Sequence, residues 1–296
     1  MIKVPEVKGK IFLDKELAQY TWFNVGGKAD IVFEPEDIND LENFLSNVDK
    51  SISINIIGGG SNLLIRDGGI SGVVIILKNN FKNVYLENDI LVAECGALNS
   101  KIFNFAKNNS IDNFTFLGTI PGTIGGAIRG NAGCYGKEIK DILISVDAVD
   151  FDGNLRTYTT EECNFEYRKN NLPENLIFIK AKFKTTQNMS KDEIENAFKE
   201  MQEKRLNSQP HGVKTAGSTF KNLPDKPAWK VVQELGYQSK EINGAKMSEK
   251  HANFMVNTGN AKAKDLENLG NSIIKDAKDK LGLNLEWEVK IIGKEL

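Results

Sequence analysis

The glycines are clustered: of 26 in a chain of 296 residues, six lie between Gly58 and Gly72 and six more between Gly118 and Gly133. Glycine lets a backbone pass close to a ligand or to a second backbone, at an entropic cost to folding, so two dense clusters mark two special loops. The first follows Ile52-Ser-Ile-Asn-Ile-Ile57, whose alternation predicts a strand, and precedes a second apolar strand, Gly72 to Leu77. A Rossmann dinucleotide unit would need G-x-G-x-x-G opening a helix. Here Gly58-Gly-Gly-Ser-Asn-Leu-Leu64 runs into Ile65-Arg66-Asp67-Gly68-Gly69, which is turn chemistry, and that fold is disfavoured. Successive unhindered N–H groups suit a diphosphate, with a plain tight turn as the competing reading. The second loop, Leu117-Gly-Thr-Ile-Pro-Gly-Thr-Ile-Gly-Gly-Ala127 followed by Asn131-Ala-Gly-Cys-Tyr-Gly136, adds small hydroxyls to the amides. Two such loops point to one large nucleotide cofactor.

Around them the patterning is mixed. Pro35 precedes a helix, Glu36 to Asn47, with Ile38, Leu41, Phe44 and Leu45 at helical spacing. Residues 84–95 predict a hairpin and Asn99 to Asn109 an amphipathic helix. Ile142 to Val149, Leu155 to Thr159 and Leu176 to Phe183 predict strands, the first two joined at Asp152-Gly153. A charged helix, Lys191 to Arg205, leads to Asn-Ser-Gln-Pro at 207–210, where the main boundary is placed. Beyond it come the loop Gly212 to Asn222, helices from Pro227 to Leu235 and Ala263 to Leu281, and strands Phe254 to Asn257 and Leu285 to Ile292. The fold class is α+β, in three parts: 1–78, 79–205 and 206–296.

Thirty-eight Lys+Arg against forty Asp+Glu give a net charge of −2, so no bulk positive field exists to draw in nucleic acid. The strongest apolar run, Val73 to Leu77, is too short for a membrane span, and the first sixteen residues hold no apolar stretch of signal-peptide length. A cytoplasmic protein is expected. Cys95, Cys134 and Cys163 are odd in number and lack C-x-x-C spacing, which fits a reducing compartment. With only His211 and His251 there is no multi-histidine metal site, and no metal is expected. His251, ahead of an apolar strand, reads as a structural hydrogen-bonding residue.

Eight motifs, in order, resemble the UDP-N-acetylenolpyruvoylglucosamine reductase family: T-W-F-N-V-G-G-K-A at 21–29, I-G-G-G-S-N-L-L at 57–64, G-T-I-P-G-T-I-G-G-A at 118–127, N-A-G-C-Y-G at 131–136, Y-R at 167–168, A-G-S-T-F-K-N at 216–222, S-E-K-H-A-N-F at 248–254 and L-E-W-E-V at 285–289. They span nearly the whole chain. The first four are shared with the wider vanillyl-alcohol-oxidase-like flavoproteins. The resemblance implies two FAD-binding subdomains, 1–78 and 79–205, and a C-terminal α+β substrate domain, 206–296. It also implies an enzyme of peptidoglycan precursor synthesis that oxidises NADPH and reduces the enolpyruvyl ether of a nucleotide sugar to a lactyl ether, with FAD held noncovalently.

Carried over residue by residue, the resemblance makes Ser218 the proton donor, Arg168 the stabiliser of the developing carboxylate-enolate and Glu288 its partner, with Glu286 as runner-up. Cofactor contacts fall on Gly58, Gly59, Gly60, Ser61, Asn62, Thr119, Pro121, Gly122, Thr123, Gly125, Gly126 and Ala127, and substrate contacts on Tyr135, Lys221 and Asn222. Each catalytic residue has a plain rival: a turn serine, a surface arginine, and two glutamates on a solvated strand face. A flavin oxidase of the wider superfamily and a sugar-nucleotide binder without chemistry are the competing functions. Three positions depart from the family pattern: Cys134 replaces alanine, Asn170 serine and Leu223 proline. The short C-terminal part resembles the compact subgroup without a tyrosine-bearing insertion.

Overall fold

A computed structural model describes residues 4–296; residues 1–3, the start of the expected first FAD subdomain, lie outside the described residues. The fold is α+β, and the chain divides into two compact units. One comprises the residues up to Leu13, Ile31–Gly59 and Gly72–Glu203; the other comprises Asp14–Asp30, Gly60–Ser71 and Lys204–Leu296. Two stretches from the first quarter of the chain thus belong with its C-terminal third.

Strands β1 (Lys10–Glu16) and β2 (Lys28–Glu34) lead to helix α1 (Ile38–Asn47). Asp37 sets the helix start by accepting the Asp40 N–H at 2.9 Å, and the stripe Leu41, Phe44 and Leu45 is buried. β3 (Ile54–Ile57), β4 (Leu63–Ile65) and β5 (Ile70–Ile76) follow, and a four-stranded sheet runs β1-β2-β5-β3 with β3 and β5 parallel. Phe33 and Phe44, with ring centroids 4.4 Å apart, centre a core that includes Ile31, Val73 and Ile75. The sequence predicts none of β1, β2 and β4. β1 is largely exposed, and β4 is three residues inside a run of turn formers.

The larger sheet of the first unit is antiparallel, in the order β11-β10-β12-β7-β6. Its strands are β6 (Val84–Glu87), β7 (Ile90–Glu94), β10 (Leu143–Asp150), β11 (Leu155–Thr159) and β12 (Leu176–Lys184). Between β7 and β10 lie α2 (Asn99–Asn108), α3 (Ile124–Arg129) and the short pair β8 (Gly133–Cys134) and β9 (Lys137–Glu138); α4 (Thr160–Cys163) and α5 (Lys191–Ser208) follow later. Ile102, Phe114, Phe116, Ile128 and Phe183 lie in a second core.

In the other unit, α6 (Ala228–Glu234), a three-stranded antiparallel sheet β13 (Glu241–Ile242), β14 (Ala245–Met247) and β15 (Met255–Asn257), and α7 (Ala263–Leu281) surround a third core of Phe220, Met255, Leu266 and Ile273. Phe23, Val25 and Leu64 belong to that core. The reason lies in two long-range ties. Strand β16 (Lys290–Ile292) pairs in parallel with β4, and Asp67 accepts the first N–H groups of α7, from Ala263 and Lys264, both at 2.9 Å. Arg66 adds a forked pair to Glu267 on α7, at 2.7 and 2.9 Å.

The expected terminal strand is corrected at its start. The ladder covers only Lys290–Ile292, whereas, among the described residues, positions 285–289 carry one antiparallel bridge, between Phe220 and Trp287. Among the described residues no helix is long and apolar enough to cross a membrane, and no group of three His, Cys, Asp or Glu side chains could hold a metal ion.

Candidate active site

The two glycine loops meet within the first unit. A Cβ on Gly59 would lie 2.5 Å from Gly122 Cα, and one on Gly58 would lie 2.5 Å from Thr123 Oγ1. Any side chain at these positions would force the backbones apart. Gly122 adopts φ +102°, which glycine alone enters freely. The second loop is fastened from behind by Asn99 at the start of α2: its main-chain N–H donates to Gly122 O at 3.0 Å and its side-chain amide to Ile120 O at 3.2 Å. Asn99 is buried and its Oδ1 has no partner among the described residues.

The remaining loop residues divide between exposed and packed positions. Gly125 donates its N–H to Cys95 O at 2.9 Å and abuts that residue's Cβ, so its missing side chain serves the approach of α3 to the end of β7. Gly126 is exposed, with ordinary van der Waals space around it, whereas Thr123 and Ala127 are buried. Thr119 donates to Phe116 O at 2.9 Å and lies 3.3 Å from Cys134 Sγ, and Pro121 is half-buried. The missing side chains at Gly58 and Gly59 let the two loops meet, and the main-chain N–H groups of such bare backbone are the kind of donors a diphosphate accepts.

Arg168 also lies in the first unit, in a tight turn closed by Glu166 and Lys169, with φ +57°. A left-handed conformation costs a non-glycine residue about 1 kcal/mol, so the surroundings impose it. Its guanidinium donates to Gly133 O at 3.0 Å, lies 3.9 Å from Glu138 Oε1 and covers the Tyr167 ring. The buried Asn131 orients this partner, donating to Glu138 Oε2 at 3.0 Å and to Glu166 O at 3.0 Å. Sequence reasoning missed Asn131 and Glu138 as supports; the only signal is an asparagine ahead of Ala-Gly, a residue tolerant of φ +40°. Tyr135, at φ +52°, donates its hydroxyl to Met201 O at 2.8 Å. Asn170 secures the end of α3, donating to Ile128 O and Arg129 O at 3.1 and 3.0 Å.

Within the second unit Ser218, Glu288 and Asn62 come together. Residues 218–221 form a strap clamped on two sides. On one side Asn253 holds both main-chain polar groups of Phe220, at 3.0 and 2.8 Å, while the buried Thr219 accepts the Met255 N–H. On the other, Glu288 N–H donates to Thr219 O at 2.8 Å and Lys221 N–H to Glu286 O at 2.9 Å. Ser218 follows Gly217, which has φ +80° and open space beside it. The serine is half-buried, and its hydroxyl has no hydrogen-bond partner among the described residues. The two glutamates separate clearly: Glu286 is exposed and pairs with Lys221 at 3.0 Å, whereas Glu288 is half-buried.

Other residues of the second unit serve the local structure. Asn222 Oδ1 accepts the Ala228 N–H at 3.0 Å and caps α6. Gly60, at φ +65°, passes so close to Tyr20 O that a Cβ would overlap it, and Ser61 is half-buried beside it. His251 accepts the Asn253 N–H on Nδ1 at 3.2 Å and packs edge-on against Phe254; burial holds its imidazole below the ordinary value.

Comparison with known proteins aligns with this geometry. Residues 29–159 match the family described as an FAD binding domain, and residues 209–292 match the C-terminal domain of UDP-N-acetylenolpyruvoylglucosamine reductase. Over 297 aligned positions the chain is 45% identical to the UDP-N-acetylenolpyruvoylglucosamine reductases of Rickettsia massiliae and Rickettsia conorii, covering 99% of both sequences in each case. The crystal structure of the corresponding reductase (MurB) from Thermus caldophilus superposes with a TM-score of 0.83 at 30% identity, over 97% of this chain and 99% of that one.

Proposed function

Because the chain belongs to the UDP-N-acetylenolpyruvoylglucosamine reductase family, we propose that it reduces the enolpyruvyl ether of UDP-N-acetylglucosamine-enolpyruvate to UDP-N-acetylmuramate in the cytoplasm, with NADPH as co-substrate. The observation that carries this reading is the full-length relation: one chain holds both the FAD-binding match and the reductase match, in that order. The functional division follows the sequence, with FAD bound by 1–78 and 79–205 and the nucleotide sugar by 206–296.

Bound FAD supplies a hydride, taken from NADPH, to the β carbon of the enol ether. The residues of the chain do the rest. Gly58, Gly59, Gly60, Ser61, Asn62 and the loop from Thr119 to Ala127 hold the dinucleotide through bare backbone and small side chains. Addition of hydride leaves negative charge at the α carbon, shared with the adjoining carboxylate, and the Arg168 guanidinium neutralises it. Ser218 then gives its proton to that carbon and recovers one from solvent as the product leaves, while Glu288 partners Arg168 at the developing carboxylate-enolate. A hydroxyl is a weak acid, so this step needs a strongly basic carbon and a site from which water is kept. The hydrogen bonds that hold Thr219 and Phe220 fix the main chain beside Ser218, which supports a defined placement of its hydroxyl. Tyr135, Lys221 and Asn222 contact the nucleotide sugar.

The test is anaerobic. NADPH should bleach the yellow colour of the purified holoenzyme, and only the enolpyruvyl nucleotide sugar should restore it, one equivalent per flavin. A colourless protein, or colour restored by air alone with release of peroxide, overturns the reading.

A further inference from the structure

Between Glu286 and Glu288 stands Trp287, to which the reaction gives no part. Its indole fills a notch on α7: a Cβ at Gly270 would lie 2.0 Å from Trp287 Cη2 and 2.1 Å from Cζ2. Its other flank meets the buried Phe220 ring, with centroids 5.4 Å apart, and Nε1 donates to Asn271 Oδ1 at 3.0 Å. Phe220 and Trp287 are also the residues of the single bridge between the serine strap and the segment bearing Glu288. Among the described residues no ladder includes 285–289, and the ladder of β16 begins only at Lys290; beside the bridge the segment is held by the Glu288 N–H to Thr219 O, Lys221 N–H to Glu286 O and Asn62 amide to Glu288 O bonds. The indole is wedged between this segment and α7, and the Glu288 N–H to Thr219 O bond ties the segment to the strap that bears Ser218.

We propose that Trp287 is a positioning residue for proton delivery, its indole seated on Gly270 and Phe220 so that the segments carrying Ser218 and Glu288 hold one register. The proposal rests on the roles given to Ser218 and Glu288 above.

Two opposite changes to the notch test it. Gly270→Ala places a methyl where the outer ring of the indole lies; Trp287→Phe removes the atoms that methyl would meet. In stopped-flow experiments with the holoenzyme, Gly270→Ala should slow substrate-driven reoxidation about tenfold to a hundredfold while bleaching by NADPH and FAD content stay within about twofold, the scale of an ångström-sized misplacement. Trp287→Phe should slow the same phase less. Both should show a larger solvent deuterium isotope effect on it, because the proton step becomes more limiting; a merely structural role would leave that ratio unmoved. The double variant should recover most of the rate lost in Gly270→Ala, since the collision is gone. Normal reoxidation in Trp287→Phe, equal loss in both phases, or failure of the double variant to recover overturns the proposal, and Trp287→Phe decides it even where Gly270→Ala does not fold. Ser218→Ala run in parallel separates the two claims: wild-type reoxidation there removes the underlying acid assignment, whatever Trp287 does.

Discussion

The side-chain amide of Asn62 donates to the main-chain carbonyl of Glu288 at 3.1 Å, across 226 positions of sequence, and Lys290 N–H returns a bond to Asn62 O at 3.1 Å. Asn62 of the first glycine loop is thus an anchor for the main chain at Glu288. Replacing it by alanine removes one hydrogen bond, about 1 kcal/mol. Asn62→Asp keeps the shape but turns a donor into a charged acceptor against a carbonyl, so it should cost more stability and more substrate-driven turnover than Asn62→Ala. Urea unfolding and stopped-flow reoxidation check the order; an aspartate variant equal to wild type would show that the bond has no consequence.

Ser218→Ala should leave thermal stability unchanged, because the hydroxyl has no partner to lose. It should leave bleaching by NADPH intact and lower turnover of the nucleotide sugar by roughly two to four decades, the usual scale for a positioned acid. Normal turnover would retire the assignment.

Two glycines of the cradle should respond differently to the same methyl group. Gly59→Ala meets the backbone of Gly122 and should destabilise the FAD-free protein by about 1–3 kcal/mol, the cost of overpacking. Gly126→Ala has room within its own unit and sits in a helix, so the FAD-free melting temperature should hold or rise. A weaker FAD affinity in that variant, measured by fluorescence titration, would then report the cofactor itself rather than a damaged fold.

His251 predicts a pH dependence. Burial lowers its pKa in the folded chain, and the Asn253 N–H occupies Nδ1. As pH falls through about 6.5, the unfolded chain takes up a proton that the folded chain refuses, so stability is full above that value and declines below it until the folded imidazole titrates. His251→Gln should flatten this part of the profile. Unfolding free energies in urea at about pH 7.5 and about pH 5.5 give the comparison, and an unchanged slope would exclude His251 as its source.

Local chemistry made much of this readable in advance. Helices α1 and α2 follow from apolar spacing, and the glycine clusters announce two special loops, which the fold brings into contact at Gly59 and Gly122. Pairings between distant segments carry no such signal. Nothing in Leu63-Leu-Ile65 says that its partner lies at Lys290–Ile292, and the alternation of Leu285 to Val289 imitates a strand where a bridge, an indole and a few separate hydrogen bonds do the holding. The left-handed turn at Arg168 is equally silent, since arginine has no preference for it; Asn131 and Glu138, which support that turn, matter only once the chain has folded.

The parallel pairing of β4 with β16 joins positions 63–65 to 290–292, almost the end of the chain. A growing polypeptide emerges at roughly 5–20 residues per second. The edge of the first glycine loop therefore waits well over ten seconds for its mate, and the segment bearing Glu288 leaves the ribosome just ahead of that mate. Ribosomes stalled before codon 285 should release products in which β4 stays unzipped and Asn62 has nothing to grasp. Lys290–Ile292 act as a late clasp on an early strand.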